Sequence, residues 1–234
     1  MVKDIRLICI SCLIGTLVSS LTWAGGRPGD SSRSWYSEIG GGWLFPQGRS
    51  DDNLDSSFAL SGGALYWPSN WPAGIDINLA YSSPDISNKA INAINDQISM
   101  DPGNSGKIDG GYVNIWALTV DGLWSLGEKT QGFYLSGGVG VYYLQGRLTE
   151  TGLIYYPPIC DPWYWWWCYP PGVGPGSIVT ASDSTTKYGW NAGIGYSFRP
   201  TLSGQLYLEA KYHSISTDKK DITYVPIEVG YRFR

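Results

Sequence analysis

Apolar and polar residues alternate along most of this chain. Counting back in twos from Phe233 gives Tyr231, Val229, Ile227 and Val225, while the other phase gives Arg232, Gly230, Glu228, Pro226 and Tyr224. A period of two is the mark of a β-strand. One face is wholly apolar and aromatic; the other holds charge, Gly and Pro. Seven more segments repeat the pattern. Trp35, Ile39, Trp43 and Phe45 oppose Glu38, and Phe58, Leu60, Ala64 and Tyr66 oppose Ser61 and Gly63. Ile75, Ile77, Leu79 and Tyr81 oppose Asp76 and Asn78, and Trp116, Leu118, Val120 and Trp124 oppose Thr119 and Asp121. Phe133, Leu135, Val139, Val141 and Tyr143 oppose Ser136, Gly138 and Gly140. Tyr188 to Phe198 sets even positions against Asn191, Gly193, Gly195 and Ser197. Leu206 to His213 sets Leu206, Leu208, Ala210 and Tyr212 against Tyr207, Glu209, Lys211 and His213.

An even number of strands of about ten residues each suits a closed barrel that spans a bilayer at a tilt. The apolar phases carry no charge, which is stricter than a soluble sandwich needs. The polar phases are rich in Gly, Ser and Asn, as a narrow lumen would be. Aromatics gather towards strand ends (Trp35, Trp43, Tyr66, Trp124, Phe133, Tyr143, Phe198, Phe233), where interfacial girdles belong. Short connections at 67–73, 126–131 and 199–204 alternate with longer ones at 46–56, 83–110 and 148–185, and the fourth outer connection, 217–220, is short. The expected fold is all-β: an eight-stranded antiparallel up-and-down transmembrane β-barrel, with both termini periplasmic and the long loops outside.

The C-terminal Val225-Pro226-Ile227-Glu228-Val229-Gly230-Tyr231-Arg232-Phe233, following Lys211-Tyr212-His213, resembles the end of the small outer-membrane β-barrel family that includes opacity-type surface proteins, OmpX and the OmpA barrel. The resemblance covers residues 33–233. It implies a bacterial outer-membrane location, contact with outer-membrane lipid, and handling by the assembly machinery, which reads the last strand and its terminal Phe. Here Arg234 follows that Phe, a small departure from the pattern.

The N-terminus fits export. Lys3 and Arg6 precede an apolar run from Leu7 to Val18, too short to cross a bilayer as a helix. Thr22-Trp23-Ala24 then supplies small residues before Gly25, so residues 1–24 are expected to be a cleaved signal peptide and 25–234 the barrel domain. A lipoprotein reading of Cys12 is weakened by the apolar run continuing past it. The net charge of −4 disfavours nucleic acid as a partner. Gly, at 31 residues, is about twice its usual share. The mean hydropathy of −0.15 does not argue against a membrane, because a barrel hides its apolar band in alternate positions.

Two outer loops carry further signals. Ala90, Ile91, Ile94 and Ile98 fall at helical spacing, with Asn88 as a candidate cap and Pro102-Gly103 as the stop. The expected helix either packs on the barrel rim or offers a face to a partner. Residues 155–171 hold Cys160 and Cys168 around Trp163, Tyr164, Trp165, Trp166 and Trp167, with Tyr169 beside them. In an oxidising envelope the two cysteines are expected to form a disulfide. With no His nearby they make a poor zinc site. The aromatics either rest on the interface or form a preorganised tip for an extracellular ligand.

Signals for catalysis are few. The chain has one histidine, His213. Lipid A deacylases among small barrels carry a His-x-Ser pair, whereas His213 is followed by Ser214, Ile215 and Ser216. No nucleophile elbow, phosphate loop or metal cluster is present in the sequence, and no cofactor is expected. The run Asp51, Asp52 and Asp55 reads as a solvated acidic loop. The inward charges Glu38, Asp76, Asp121, Arg199, Glu209, Lys211, Glu228 and Arg232 are expected to pair across the lumen, since unpaired charge there is costly. The reading is a non-enzymatic outer-membrane barrel that displays loops for structural or surface-interaction, adhesin-like roles. The alternatives are a membrane-embedded lipid-modifying enzyme and a small channel.

Overall fold

A computed structural model describes residues 35–68, 71–100, 107–127, 131–156, 159–160, 168–169, 172–201, 204–217 and 221–233, with the side chains of 49, 151–178 and 199–201 outside that description. The expected signal peptide, Arg234 and Trp163 to Trp167 therefore lie outside the described residues. The strands are β1 (Trp35–Pro46), β2 (Ser57–Tyr66), β3 (Ala73–Ser82), β4 (Gly110–Ser125), β5 (Gly132–Tyr156), β6 (Ile159–Cys160), β7 (Cys168–Tyr169), β8 (Gly172–Thr201), β9 (Gly204–Ile215) and β10 (Ile222–Phe233). A helix, α1 (Asn88–Ser99), sits between β3 and β4.

Eight of these strands close into one antiparallel barrel in the order β1-β10-β9-β8-β5-β4-β3-β2. Closure removes every sheet edge within the barrel wall. The strand phases match the sequence pattern. Val139 is 67% exposed, Val229 57% and Leu60 51%, while Asp121 and Arg232, in the other phase, are 1% exposed. A water-soluble protein rarely shows a continuous apolar belt of this kind. Aromatic pairs rim the belt at both ends. Trp35–Tyr66, Phe133–Tyr196 and Tyr231–Phe233 stand at the end with short turns, with ring centroids 4.8, 4.8 and 4.7 Å apart. Trp43–Phe58, Tyr81–Trp116 and Trp190–Tyr212 stand at the end with long loops, at 5.9, 4.6 and 5.6 Å. Strand rise and tilt put the two girdles roughly 20 Å apart along the axis, close to the height of a bilayer's apolar band.

The lumen differs from the expected polar interior. It is layered. At the loop end an apolar cluster of Leu44, Ala59, Ile115, Ala117, Tyr142, Leu144, Ile215 and Tyr224 fills it. At the turn end Tyr36, Leu65, Trp67, Leu123 and Tyr134 form a second cluster. The charges lie between. Near the strand ends the inward phase is apolar as well, so period-two alternation by itself does not reveal these layers.

Glycine contributes to this packing in a specific way. Gly195 is the direct cross-strand partner of Tyr134, and Gly230 that of Tyr207. A Cβ at either glycine would collide with the tyrosine ring, so each ring lies flat across a residue that has no side chain. Part of the glycine excess thus makes room for aromatics inside a narrow tube.

At the loop end the backbone continues past the wall. Leu54 bridges Ile86 and Asp85 bridges Tyr112, which ties the β1–β2 connection to the β3–β4 connection. Ser87, not Asn88, caps α1: its Oγ accepts from Ala90 N at 3.3 Å and donates to Asp52 O at 2.6 Å. Lys89 reaches Asp52 at 2.6 Å. Asn95 holds Ile108 through both main-chain groups, at 2.7 and 2.8 Å. Ile91 and Ile108 are buried, so the apolar face of α1 packs down on the rim.

The stretch expected as a long outer loop at 148–185 is mostly strand. β4 ends opposite Thr149, and β9 ends opposite Gly189. Beyond them β5 and β8 stay paired with each other up to Tyr156 and Gly172, with a register shift between Leu148 and Thr149. This two-stranded ribbon runs roughly 40 Å past the loop-end girdle.

Candidate functional site

Two places concentrate unusual chemistry: the middle of the lumen and the ribbon. The lumen network starts at the barrel seam. Arg232 on β10 donates Nε to Glu38 Oε2 at 2.9 Å, and Glu38 also accepts from Asn78 Nδ2 at 3.0 Å. Arg232 further donates to Ser197 Oγ at 3.1 Å and to Tyr134 Oη at 3.2 Å. Its guanidinium is flanked by the rings of Tyr134 and Tyr207, 5.0 and 4.4 Å from their centroids. A planar cation between two aromatic faces is stabilised by both quadrupoles.

The network then crosses the lumen. Tyr134 donates to Glu209 at 3.3 Å, and Ser136 donates to the other oxygen of Glu209 at 2.6 Å. Lys211 lies 3.5 Å from Glu209 and 2.8 Å from Asp121. Asp121 also accepts from Asn191 at 2.7 Å and Thr119 at 3.2 Å. One connected chain of charge-assisted bonds therefore links β1, β10, β5, β9, β4 and β8, and bonds of this kind are the stronger ones.

The expected charge pairs are only partly brought together. Glu38, Arg232, Glu209, Lys211 and Asp121 join the chain. Glu228 instead accepts from Ser61 at 2.7 Å. Asp76 sits directly across from Asp121 in the β3–β4 register, and its Oδ1 is buried without a hydrogen bond. Arg199 falls in β8, but its side chain lies outside the described residues.

His213 occupies the boundary between the charged layer and the loop-end apolar layer. It shares a 2.9 Å hydrogen bond with Tyr142 Oη and stacks on Tyr224 at 4.8 Å. It faces the lumen and not the lipid. A cavity of about 40 Å³ lies beside it, bordered by Asn78, Thr119, Glu209, Lys211 and Tyr224. That is room for a few waters and too little for an organic substrate. Among the described residues no group of His, Cys, Asp and Glu is placed to hold a metal.

At the ribbon, β6 and β7 form a small hairpin in which Cys160 and Cys168 are direct partners. Their side chains, that of Tyr169, and Trp163, Tyr164, Trp165, Trp166 and Trp167 altogether, lie outside the described residues. In chain order this hairpin lies between Tyr156 and Gly172, the last paired residues of the β5–β8 ribbon.

No protein-family model matches the chain, and no curated protein sequence matches it. Solved structures of small barrels are similar. The attachment invasion locus protein Ail of Yersinia pestis, solved with the heparin analogue sucrose octasulfate, shares 13% identity over 86% of this chain and 100% of its own, with a TM-score of 0.46. Neisserial surface protein A shares 11% over 86% and 97%, at 0.45. The outer membrane protein OprG of Pseudomonas aeruginosa shares 12% over 86% and 97%, at 0.43. Similarity of this degree assigns no ligand or activity to the chain. By its own closed register, apolar belt, double aromatic girdle and filled lumen, the chain is a small eight-stranded transmembrane β-barrel of the outer-membrane type.

Proposed function

We propose that this chain is exported by residues 1–24, resides in a bacterial outer membrane, and serves as a non-enzymatic scaffold that displays the 155–171 tip to an extracellular ligand. The observation that carries this reading is the β5–β8 ribbon. A two-stranded ribbon is marginal by itself in water. Here it grows out of two barrel strands, so the barrel anchors it and the ribbon lifts the tip clear of the membrane. The layered lumen supports a scaffold over a pore, because apolar clusters stand at both ends of the charged layer. The lumenal setting of His213, between Tyr142 and Tyr224, supports a packing role over catalysis on lipid.

The test replaces residues 157–171 with a two-residue turn. The variant should still show the heat-dependent gel shift of a folded barrel, and should lose binding to cells or to glycan arrays that the intact chain displays. Undiminished binding by the shortened chain would overturn the reading. Deacylation of lipid A by the intact chain would favour the enzyme, and steady single-channel conductance would favour the channel.

A further inference from the structure

The belt is apolar up to the loop-end girdle, and then its character changes abruptly on one side. On the outward face of β3, β4 and β5, the aromatic row Tyr81, Trp116 and Tyr143 is followed by a polar row. Ser83 donates to Asn114 Oδ1 at 2.9 Å, and Tyr81 Oη donates to the same oxygen at 3.0 Å. Asn114 and Gln145 are direct cross-strand partners, their amide groups 3.5 Å apart. One step further out, Tyr112 and Arg147 are also partners. Arg147 donates Nη1 to Tyr112 Oη at 3.0 Å and Nη2 to Gln145 Oε1 at 3.5 Å, with its guanidinium 5.8 Å from the Tyr112 ring centroid.

A cation is thus fixed just above an aromatic shelf, at the depth where lipid headgroups begin. The partners that these contacts give it are neutral. They use two of its five N–H donors, which leaves the remainder of the fork for an anion. The phase of β5 directs the side chain to the outside of the barrel, the side the belt shows to lipid. The carboxylate residue Asp85 adjoins the patch, beyond Tyr112 in the same row. Ser182 and Ser184, cross-strand partners of Arg147 and Gln145 on β8, extend the polar rows with hydroxyls.

We propose that this patch binds the phosphate of an outer-leaflet lipid headgroup, with Arg147 as the anion ligand and the Asn114–Gln145 amides meeting neighbouring polar groups of the same headgroup. The proposal rests on the outer-membrane orientation given above. Phosphate suits the site because a guanidinium matches two phosphate oxygens at once, and because a bilayer holds the headgroup at this height. The aromatic row beneath would receive the start of the acyl chains.

The experiment uses the mature chain folded in detergent and exchanged against lipid A bearing its phosphates or against the dephosphorylated lipid, with bound lipid read by native mass spectrometry. The phosphorylated lipid should be retained about tenfold better, as charge-assisted bonding to a guanidinium gives. Arg147→Gln should erase that preference, and Lys89→Gln, on α1, should leave it intact. Should Arg147→Gln fail the gel shift, Arg147→Lys replaces it and should weaken the preference, since a point charge cannot match two oxygens together. A folded wild-type chain with no preference, or a folded Arg147 variant that keeps it, overturns the proposal. A wild-type chain that shows no gel shift sinks the barrel reading itself, so the two failures are distinguishable.

Discussion

Glu38 and Arg232 stand directly opposite each other in the register of the first and last strands, joined by a 2.9 Å bond from Nε to Oε2. The ion pair therefore lies across the seam where the barrel closes, between residues at the two ends of the chain. Both side chains are nearly inaccessible, at 3% and 1%. Removing one partner leaves the other buried without its counter-charge. Glu38→Leu or Arg232→Leu should each destabilise by roughly 3–5 kcal/mol, and the double variant should cost less than the sum. Urea unfolding in lipid vesicles checks this. Additive losses would show that the pair does not act as a unit.

Asp76 behaves differently from its neighbours. Its Oδ1 lacks a hydrogen bond, and the residue opposite it is another carboxylate, Asp121. Asp76→Asn removes like-charge repulsion at little change in volume. The variant should be more stable, by about 1 kcal/mol or more. A clear loss of stability would mean that attraction from the nearby cations Lys211 and Arg232 outweighs the repulsion.

The tyrosine-over-glycine contacts give a steric prediction. Gly230→Ala places a Cβ against the Tyr207 ring, and that ring also flanks Arg232. The cost of such overpacking is about 1–3 kcal/mol. Tyr207→Leu combined with Gly230→Ala should recover part of it. If Gly230→Ala alone were neutral in the unfolding assay, the ring would have room that the packing denies.

Val229 tests the outward phase. It is 57% exposed in the middle of β10, between the two girdles. Val229→Arg should destabilise the folded barrel by roughly 2–4 kcal/mol if the residue is at mid-depth in a bilayer. The same change at Val179, 49% exposed on β8 beyond the loop-end girdle, should be nearly silent. Equal effects at both positions would contradict a membrane-facing belt.

The tip hairpin pairs Cys160 with Cys168, which favours a disulfide in an oxidising compartment. Thiol labelling of the mature protein without reductant should find no free cysteine. The ring is short, so its closure contributes about 2–3 kcal/mol at most, and that locally. Cys160→Ser with Cys168→Ser should leave the gel shift unchanged while making the tip more open to protease. Two reactive thiols in the native protein would remove the disulfide from the picture.

The sequence alone determined the barrel. Between the two girdles each wall strand repeats an apolar phase without charge, and a period of two is decided locally by backbone geometry. It also placed Glu38, Asp121, Glu209, Lys211 and Arg232 on the inner face. Only the tertiary structure decided who pairs with whom. Glu38 meets Arg232 because closure brings β1 beside β10, and Asp76 is left over because the β3–β4 register sets it against Asp121. Register is a collective outcome of every strand's stagger and cannot be read from one segment. The same holds for the ribbon. Residues 148–156 and 172–185 alternate weakly and carry turn-forming Gly, Pro and Ser, so their local signal is that of a loop. They become strand because the barrel delivers β5 and β8 side by side at the rim, and their backbone groups then find partners in each other.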